Sequence, residues 1–246
     1  MFLKWFLMLV FLLLSSASHS QRAETIRTGR PGQSIGANVV GTNVFQLQSG
    51  LEVNVVETNS STTNIINNNV IRYGFNEKVE VSGVFDLAKN NKSLNGLDNL
   101  QLGGRYNIIE NSNGLIPALC FQGRLRFTGV GDYEKSDTRP LFVIGAVHAL
   151  GDESSLTTNL TMSYDGFNPQ AIYGYTIAYG VSLSEKWGAF VEEYASYQND
   201  EWTHSINGGL SFVYNSNTQY DVAFGTDIEE QLSQVYLSFG ISWRTF

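Results

Sequence analysis

The feature that most constrains this chain is a hydrophobic period of two, sustained over stretches of about ten to fourteen residues. Phe45, Leu47, Leu51, Val53 and Val55 share one parity, and Gln46, Gln48, Glu52 and Asn54 the other. The same split separates Val79, Val81, Phe85 and Leu87 from Glu80, Ser82 and Asp86. It returns in Leu119, Phe121, Leu125 and Phe127 against Gln122, Arg124 and Arg126, and in Val235, Leu237, Phe239, Ile241 and Trp243 against Gln234, Ser238, Ser242 and Arg244. Alternate residues of a strand point to opposite faces, so each stretch carries one apolar and one polar face. No sustained 3.6-residue period competes with it. Strands of soluble domains cluster near five or six residues, whereas about ten or more suffice to cross a bilayer when tilted.

The connections alternate in character. Asn76-Glu77-Lys78, Asn111-Ser112-Asn113-Gly114, Gly151-Asp152-Glu153, Ser184-Glu185-Lys186 and Asn215-Ser216-Asn217 read as tight hairpin turns. Asn59 to Thr62, Lys89 to Gly96, Gly131 to Arg139, Asp165 to Pro169, Asn199 to Trp202 and Thr226 to Gln231 read as longer links. Together they join twelve strands, and an even number leaves both termini on the periplasmic side. The expected fold is all-β: a transmembrane antiparallel up-and-down β-barrel of about twelve strands. Tyr73, Phe75, Tyr106, Trp187, Tyr214, Tyr220 and Trp243 fall beside the short turns, and Phe127, Tyr164, Tyr173 and Tyr197 near the other ends, as two aromatic girdles would. The mean hydropathy of -0.12 fits, because only every second residue meets lipid.

At the N-terminus, Lys4, the apolar run Trp5 to Leu14 and the small residues of Ser18-His19-Ser20 read as a cleaved signal peptide over 1–20. Residues 21–42 are then expected to form a periplasmic N-terminal segment and 43–246 the barrel. Localisation in the cell outer membrane follows, with outer-membrane lipid as one partner.

With 23 Asp+Glu against 15 Lys+Arg, no basic patch exists for nucleic acid. The single cysteine, Cys120, reads as a buried small hydrophobe. His148 and His204 are far apart and give neither metal-ligand spacing nor a recognisable nucleophile motif, so no catalytic, cofactor or metal site is expected. The interior parity does carry charge: Arg72, Glu80, Asp86, Arg105, Arg124, Arg126 and Asp221 are the candidate lumen-lining residues. Two readings stand side by side. Opposite charges can brace the wall by satisfying one another, or they can line a path and select solutes.

Three stretches fit the alternation poorly. Asn64 to Phe75 is asparagine-rich with no clear parity, and Leu141 to Leu150 is apolar on both faces. Within Trp187 to Gln198, Glu192-Glu193 aims one carboxylate at lipid unless a bulge resets the register.

Arg30-Pro31-Gly32-Gln33-Ser34, Val70 to Glu80, Leu100 to Tyr106, Gly188 to Glu192, Thr218 to Val222 and Phe239 to Arg244 occur in an order and spacing that resemble one family. It is the outer-membrane family named for the MetA pathway of phenol degradation, often called simply transporter. Its members tend to end on Ser-Trp-Arg-Phe, and here Thr245 precedes Phe246. The terminal phenylalanine resembles the signal that barrels present to their assembly machinery, a further expected partner. The resemblance implies a channel or transporter that passes or binds small-molecule solutes, hydrophobic or aromatic ones among the candidates. A closed structural or adhesive barrel is the alternative, and an outer-membrane hydrolase the third.

Overall fold

The computed structural model describes residues 25–57, 61–91, 95–110, 116–127, 129–132, 138–164, 170–228 and 234–245. The expected signal peptide, the Asn111–Gly114 turn and Phe246 lie outside them. Twelve long strands carry the fold: β1 (Phe45–Glu57), β2 (Ser61–Gly74), β3 (Val79–Asn90), β4 (Asn95–Ile109), β5 (Ala118–Arg126) and β6 (Arg139–Ala149) form the first half. β7 (Ser154–Tyr164), β8 (Ala171–Ser182), β9 (Trp187–Gln198), β10 (Glu201–Asn215), β11 (Thr218–Asp227) and β12 (Gln234–Arg244) form the second. Each pairs antiparallel with the next, and β1 pairs with β12 from Gln46↔Arg244 to Val56↔Gln234. The sheet is therefore a closed up-and-down barrel with no free edge, the condition for strands to sit in lipid. A two-residue pairing, Val130–Gly131 against Leu97 and Gly96, extends one connection.

The solvent logic of a soluble protein is inverted. Leu160, Leu102 and Phe239 are 65%, 59% and 55% exposed on the outer face, while Gln46, Gln122, Asn107 and Ser242 are buried inside. Exposed apolar area on this scale marks a surface that meets something other than water. Outward aromatic rings gather at both ends. Tyr73 and Phe75, Trp187 and Phe212, and Tyr214 and Tyr220 pair at the end that holds the termini, and Tyr197 with Trp202 at the opposite end.

The poorly patterned stretches have specific causes. No bulge interrupts β9 against β8 or β10. Glu192 faces inward and Glu193 outward, where Tyr175 Oη donates to it at 3.0 Å and His204 Nδ1 stands 2.9 Å away. On β2, Asn67 and Asn69 do face outward, but they bond locally. Ser49 Oγ donates to Asn69 Oδ1 at 2.9 Å, and Asn67 Nδ2 to the Gly50 carbonyl at 3.0 Å. One expected long link is not long: Asn199-Asp200 is a two-residue hairpin turn with φ of 52° and 66°, a conformation these side chains tolerate.

Candidate functional site

Of the segment 21–42 ahead of the barrel, the residues from Arg27 on bond to inward-facing groups of the barrel wall. Their bonding partners move round the wall in order. Gln46 of β1 and Arg72 of β2 donate to the Arg27 carbonyl at 3.0 and 3.2 Å, and Thr28 bonds Ser242 of β12 at 2.8 Å. Arg30 reaches Asp221 of β11 at 3.1 Å and Ser238 of β12 at 2.8 Å. The Gln33 and Ser34 amides donate to Glu192 of β9, the latter at 3.0 Å. Ile35 exchanges two bonds with the Asn159 amide of β7, at 2.8 and 3.0 Å. Arg105 of β4 donates to the Gly36 and Asn38 carbonyls, both at 3.1 Å, and the Val40 amide donates to Glu80 of β3 at 3.0 Å. The Asn43 amide then joins the Gly74 carbonyl at the end of β2, and β1 follows.

The segment is thus a belt that makes one circuit of the inner wall. Lengths agree with this. Twelve tilted strands give a wall of roughly 75 Å circumference. The path from Arg27 to Thr42 can extend to about 50 Å. A closed circuit of that length must run inside the wall by about one side chain. The observed bonds are of this kind, with wall side chains reaching to belt backbone. They satisfy amides and carbonyls that a chain buried without a ladder would leave unpaired.

The belt explains the two-sided apolar strand. Ala37 packs with Ala118 and Cys120 of β5, and Ile35 and Val147 pack against that cluster. The inner face of β5 and β6 is apolar where it meets apolar belt residues. Cys120 is fully buried here, with Sγ 3.7 Å from the Gly36 carbonyl.

All seven candidate lumen residues project inward, and they form separate groups. Arg72, Glu80 and Arg105 come together: the Arg72 fork donates to Glu80 at 2.9 and 2.7 Å, and Arg105 Nε stands 3.8 Å from the same carboxylate. Arg105 also donates to Gln122 at 3.0 Å. Asp221 is held by Arg30, and Asp86 accepts from Asn99 Nδ2 at 2.8 Å. Arg124 reaches Gln122 and Gln101 at 3.4 and 3.5 Å, and Arg126 reaches Asp98 at 3.5 Å. Sequence reasoning missed Arg30, Glu192, Asn159 and Asp98. Glu192 carried a readable signal, since a carboxylate in a lipid-crossing strand needs an inward partner.

Belt residues Gly29 to Gly32 and Ser34 separate two lumen cavities and line both. One, of about 830 Å³, opens toward the termini end beside Gly151 to Ser155. The other, of about 230 Å³, lies on the far side and is lined by Glu52, Arg72, Asp86, Arg105 and Arg124 of the five consecutive strands β1 to β5. No group of three or more His, Cys, Asp or Glu able to hold a metal occurs among the described residues. His204 pairs outward with Glu193, whereas Ser205 faces the lumen by strand alternation, so the two do not act on a common point.

A closed twelve-strand barrel, apolar outside and charged within, is a transmembrane β-barrel of the outer-membrane type. The family described as "Putative MetA-pathway of phenol degradation" matches residues 28–245, belt included, and the chain belongs to it. Among curated proteins, no sequence matches it. The fold is similar to an outer membrane channel from Pseudomonas putida F1, with 11% identity over 89% of this chain and 100% of that one, at a TM-score of 0.62. The KdgM porin, solved in complex with disordered oligogalacturonate, has 13% identity over 82% and 99% at 0.58. The NanC porin has 8% over 81% and 98% at 0.57.

Proposed function

We propose that this protein is an outer-membrane channel for small solutes, with the belt as its eyelet. The observation that carries the reading is the belt itself. It follows the wall instead of crossing the lumen, and cavities of about 830 and 230 Å³ lie on its two sides. Charged groups of both signs from five consecutive strands line the smaller cavity: Glu52 of β1, Arg72 of β2, Asp86 of β3, Arg105 of β4 and Arg124 of β5. Charged groups lining a path steer ions and polar solutes. Family membership and the likeness to channel and porin folds support the same reading. In it the signal peptide is removed, β12 with Phe246 is offered to the assembly machinery, and the termini end faces the periplasm. Hydrophobic and aromatic solutes fall within the size class, and no enzymatic step is part of the proposal.

Single-channel recording in planar bilayers tests it. Wild-type protein should give small discrete conductance, and deletion of residues 25–40 should raise it severalfold by removing the eyelet. The dense bonding of the belt to eight or so strands favours a second reading, a closed structural barrel. In that case wild-type protein is silent and only the deletion conducts.

A further inference from the structure

The cavity of about 230 Å³ is lined by charged side chains whose neighbours do not balance them. Glu52 and Asp86 lie close enough to repel one another, and no ion pair joins either acid to a cation among the described residues. Arg30, the cation facing Glu52, is committed to Asp221 at 3.1 Å. Asp86 accepts from Asn99 Nδ2 at 2.8 Å, and its Oδ1 has no hydrogen-bond partner. A neutral amide solvates a carboxylate without balancing its charge.

Elsewhere in the same lining, three guanidinium groups share one carboxylate. Arg72 and Arg105 stand 2.7 and 3.8 Å from Glu80, and Arg124 meets the neutral oxygens of Gln122 and Gln101 at 3.4 and 3.5 Å. The Nε atoms of Arg105 and Arg124 are buried without hydrogen-bond partners. The charged neighbours of Arg124 are Arg105, Arg72 and Glu80, not Glu52 or Asp86, so the two signs stay apart instead of pairing. Gln48 points to a ligand independently. Its side chain lines the cavity, the residue is 3% exposed, and Nε2 has no hydrogen-bond partner. Buried polar groups are ordinarily bonded, and one that is not calls for an explanation.

We infer that this cavity binds a small zwitterion of the α-amino-acid class. Its ammonium lies between Glu52 and Asp86, and its carboxylate meets Arg124, with the Gln48 amide as a further donor. An ammonium brings three N–H donors, and a carboxylate accepts the guanidinium fork. A simple anion would face Glu52 and Asp86 unaided, and a simple cation would face Arg124. A solute carrying both signs engages both sets. The volume lies below the roughly 300–1,000 Å³ of drug-sized sites, so the side chain of the occupant is short. As a statement about transport this rests on the channel reading and names its solute class. As a statement about binding it stands on the cavity alone.

Equilibrium dialysis of radiolabelled alanine against purified, folded protein in detergent micelles tests the site without requiring conductance. Saturable binding is expected, displaced by unlabelled alanine but not by propionate, which lacks the ammonium, nor by alaninamide, which lacks the carboxylate. These arms use unaltered protein, so no variant's fold enters them. Asp86→Asn and Arg124→Gln, each in protein that keeps the wild-type unfolding transition, should weaken binding about tenfold or more, the loss expected when a hydrogen bond to a charged group is removed. Absence of a saturable component, displacement by propionate or alaninamide as effective as that by alanine, or unchanged affinity in both variants would overturn the inference. Protein that binds alanine yet gives no current keeps the site and removes the channel reading. Current without alanine binding does the reverse.

Discussion

The guanidinium of Arg30 lies 3.1 Å from Asp221 Oδ1 and against the backbone of Gly50 and Gly240, which are cross-strand partners on β1 and β12. A Cβ on either glycine would collide with guanidinium atoms, so this stretch of wall is shaped around one belt side chain. The Asp221 side chain is fully buried and that of Arg30 is 13% exposed. Removing one partner of such a pair leaves the other buried and uncompensated, at about 3–5 kcal/mol.

Asp221→Asn should therefore loosen the belt locally while the barrel stays closed. Hydrogen exchange followed by mass spectrometry should show faster exchange of amides 28–35, with the β1 and β12 ladders unchanged. Gly240→Ala should do the same by steric displacement of Arg30. If neither variant alters exchange over 28–35, the pair does not hold the belt.

Cys120 gives a second, native reporter of the same seating. Its thiol is covered by the Ala37 and Gly36 part of the belt, which Arg105 holds through two carbonyls. A maleimide should react slowly with folded wild-type protein. Arg105→Gln deletes hydrogen bonds from a charged donor, each contributing about 1.5–3 kcal/mol, so labelling should accelerate ten- to a hundredfold or thereabouts. Arg126→Gln touches no belt atom and should leave the rate alone. Equal rates in all three proteins would mean that Cys120 is reached by another route.

Much of the barrel was readable because alternation reports directly on faces. Leu51, Leu102, Leu125 and Phe239 are outward, and Gln46, Gln122 and Ser238 inward, as the period of two requires. The belt was not readable, because it has no period. Its backbone is satisfied by side chains such as Asn159 and Glu192, up to 159 residues away in sequence. The two-sided apolar strand and the paired glutamates were its shadow in the sequence. Both look like defects of a strand and are in fact contacts with the belt or local pairs such as Glu193 with Tyr175 and His204. The charged residues were found individually, but their pairing depends on which strand heights coincide. Arg72 with Glu80 could be expected from one hairpin, and Arg30 with Asp221 could not.

Sidedness can be checked with cysteines at exposed positions on the two ends, after Cys120→Ala. Glu201→Cys sits beside the Asn199-Asp200 hairpin, and Glu185→Cys in the turn before β9. An impermeant thiol reagent on intact cells should label the first and reach the second only once the outer membrane is opened. Labelling of Glu185→Cys alone in intact cells would invert the barrel in the membrane.

The inverted solvent logic makes the sharpest quantitative prediction, because the same substitution should have opposite consequences on adjacent faces of one strand. Leu160 lies near the middle of β7, outward and 65% exposed. Leu160→Arg places a charge in hydrocarbon near the midplane and should cost about 2–4 kcal/mol in vesicle-folding titrations. Thr157, of opposite parity on the same strand, lines the cavity of about 830 Å³ on the termini side of the belt. An arginine there meets water and polar groups, so Thr157→Arg should cost well under about 1 kcal/mol. Ser238 would be a poor control despite its inward parity, since it accepts a bond from Arg30 at 2.8 Å and its loss disturbs the belt. Equal costs at Leu160 and Thr157 would mean that the two faces of β7 see the same medium, which a barrel in a membrane does not permit.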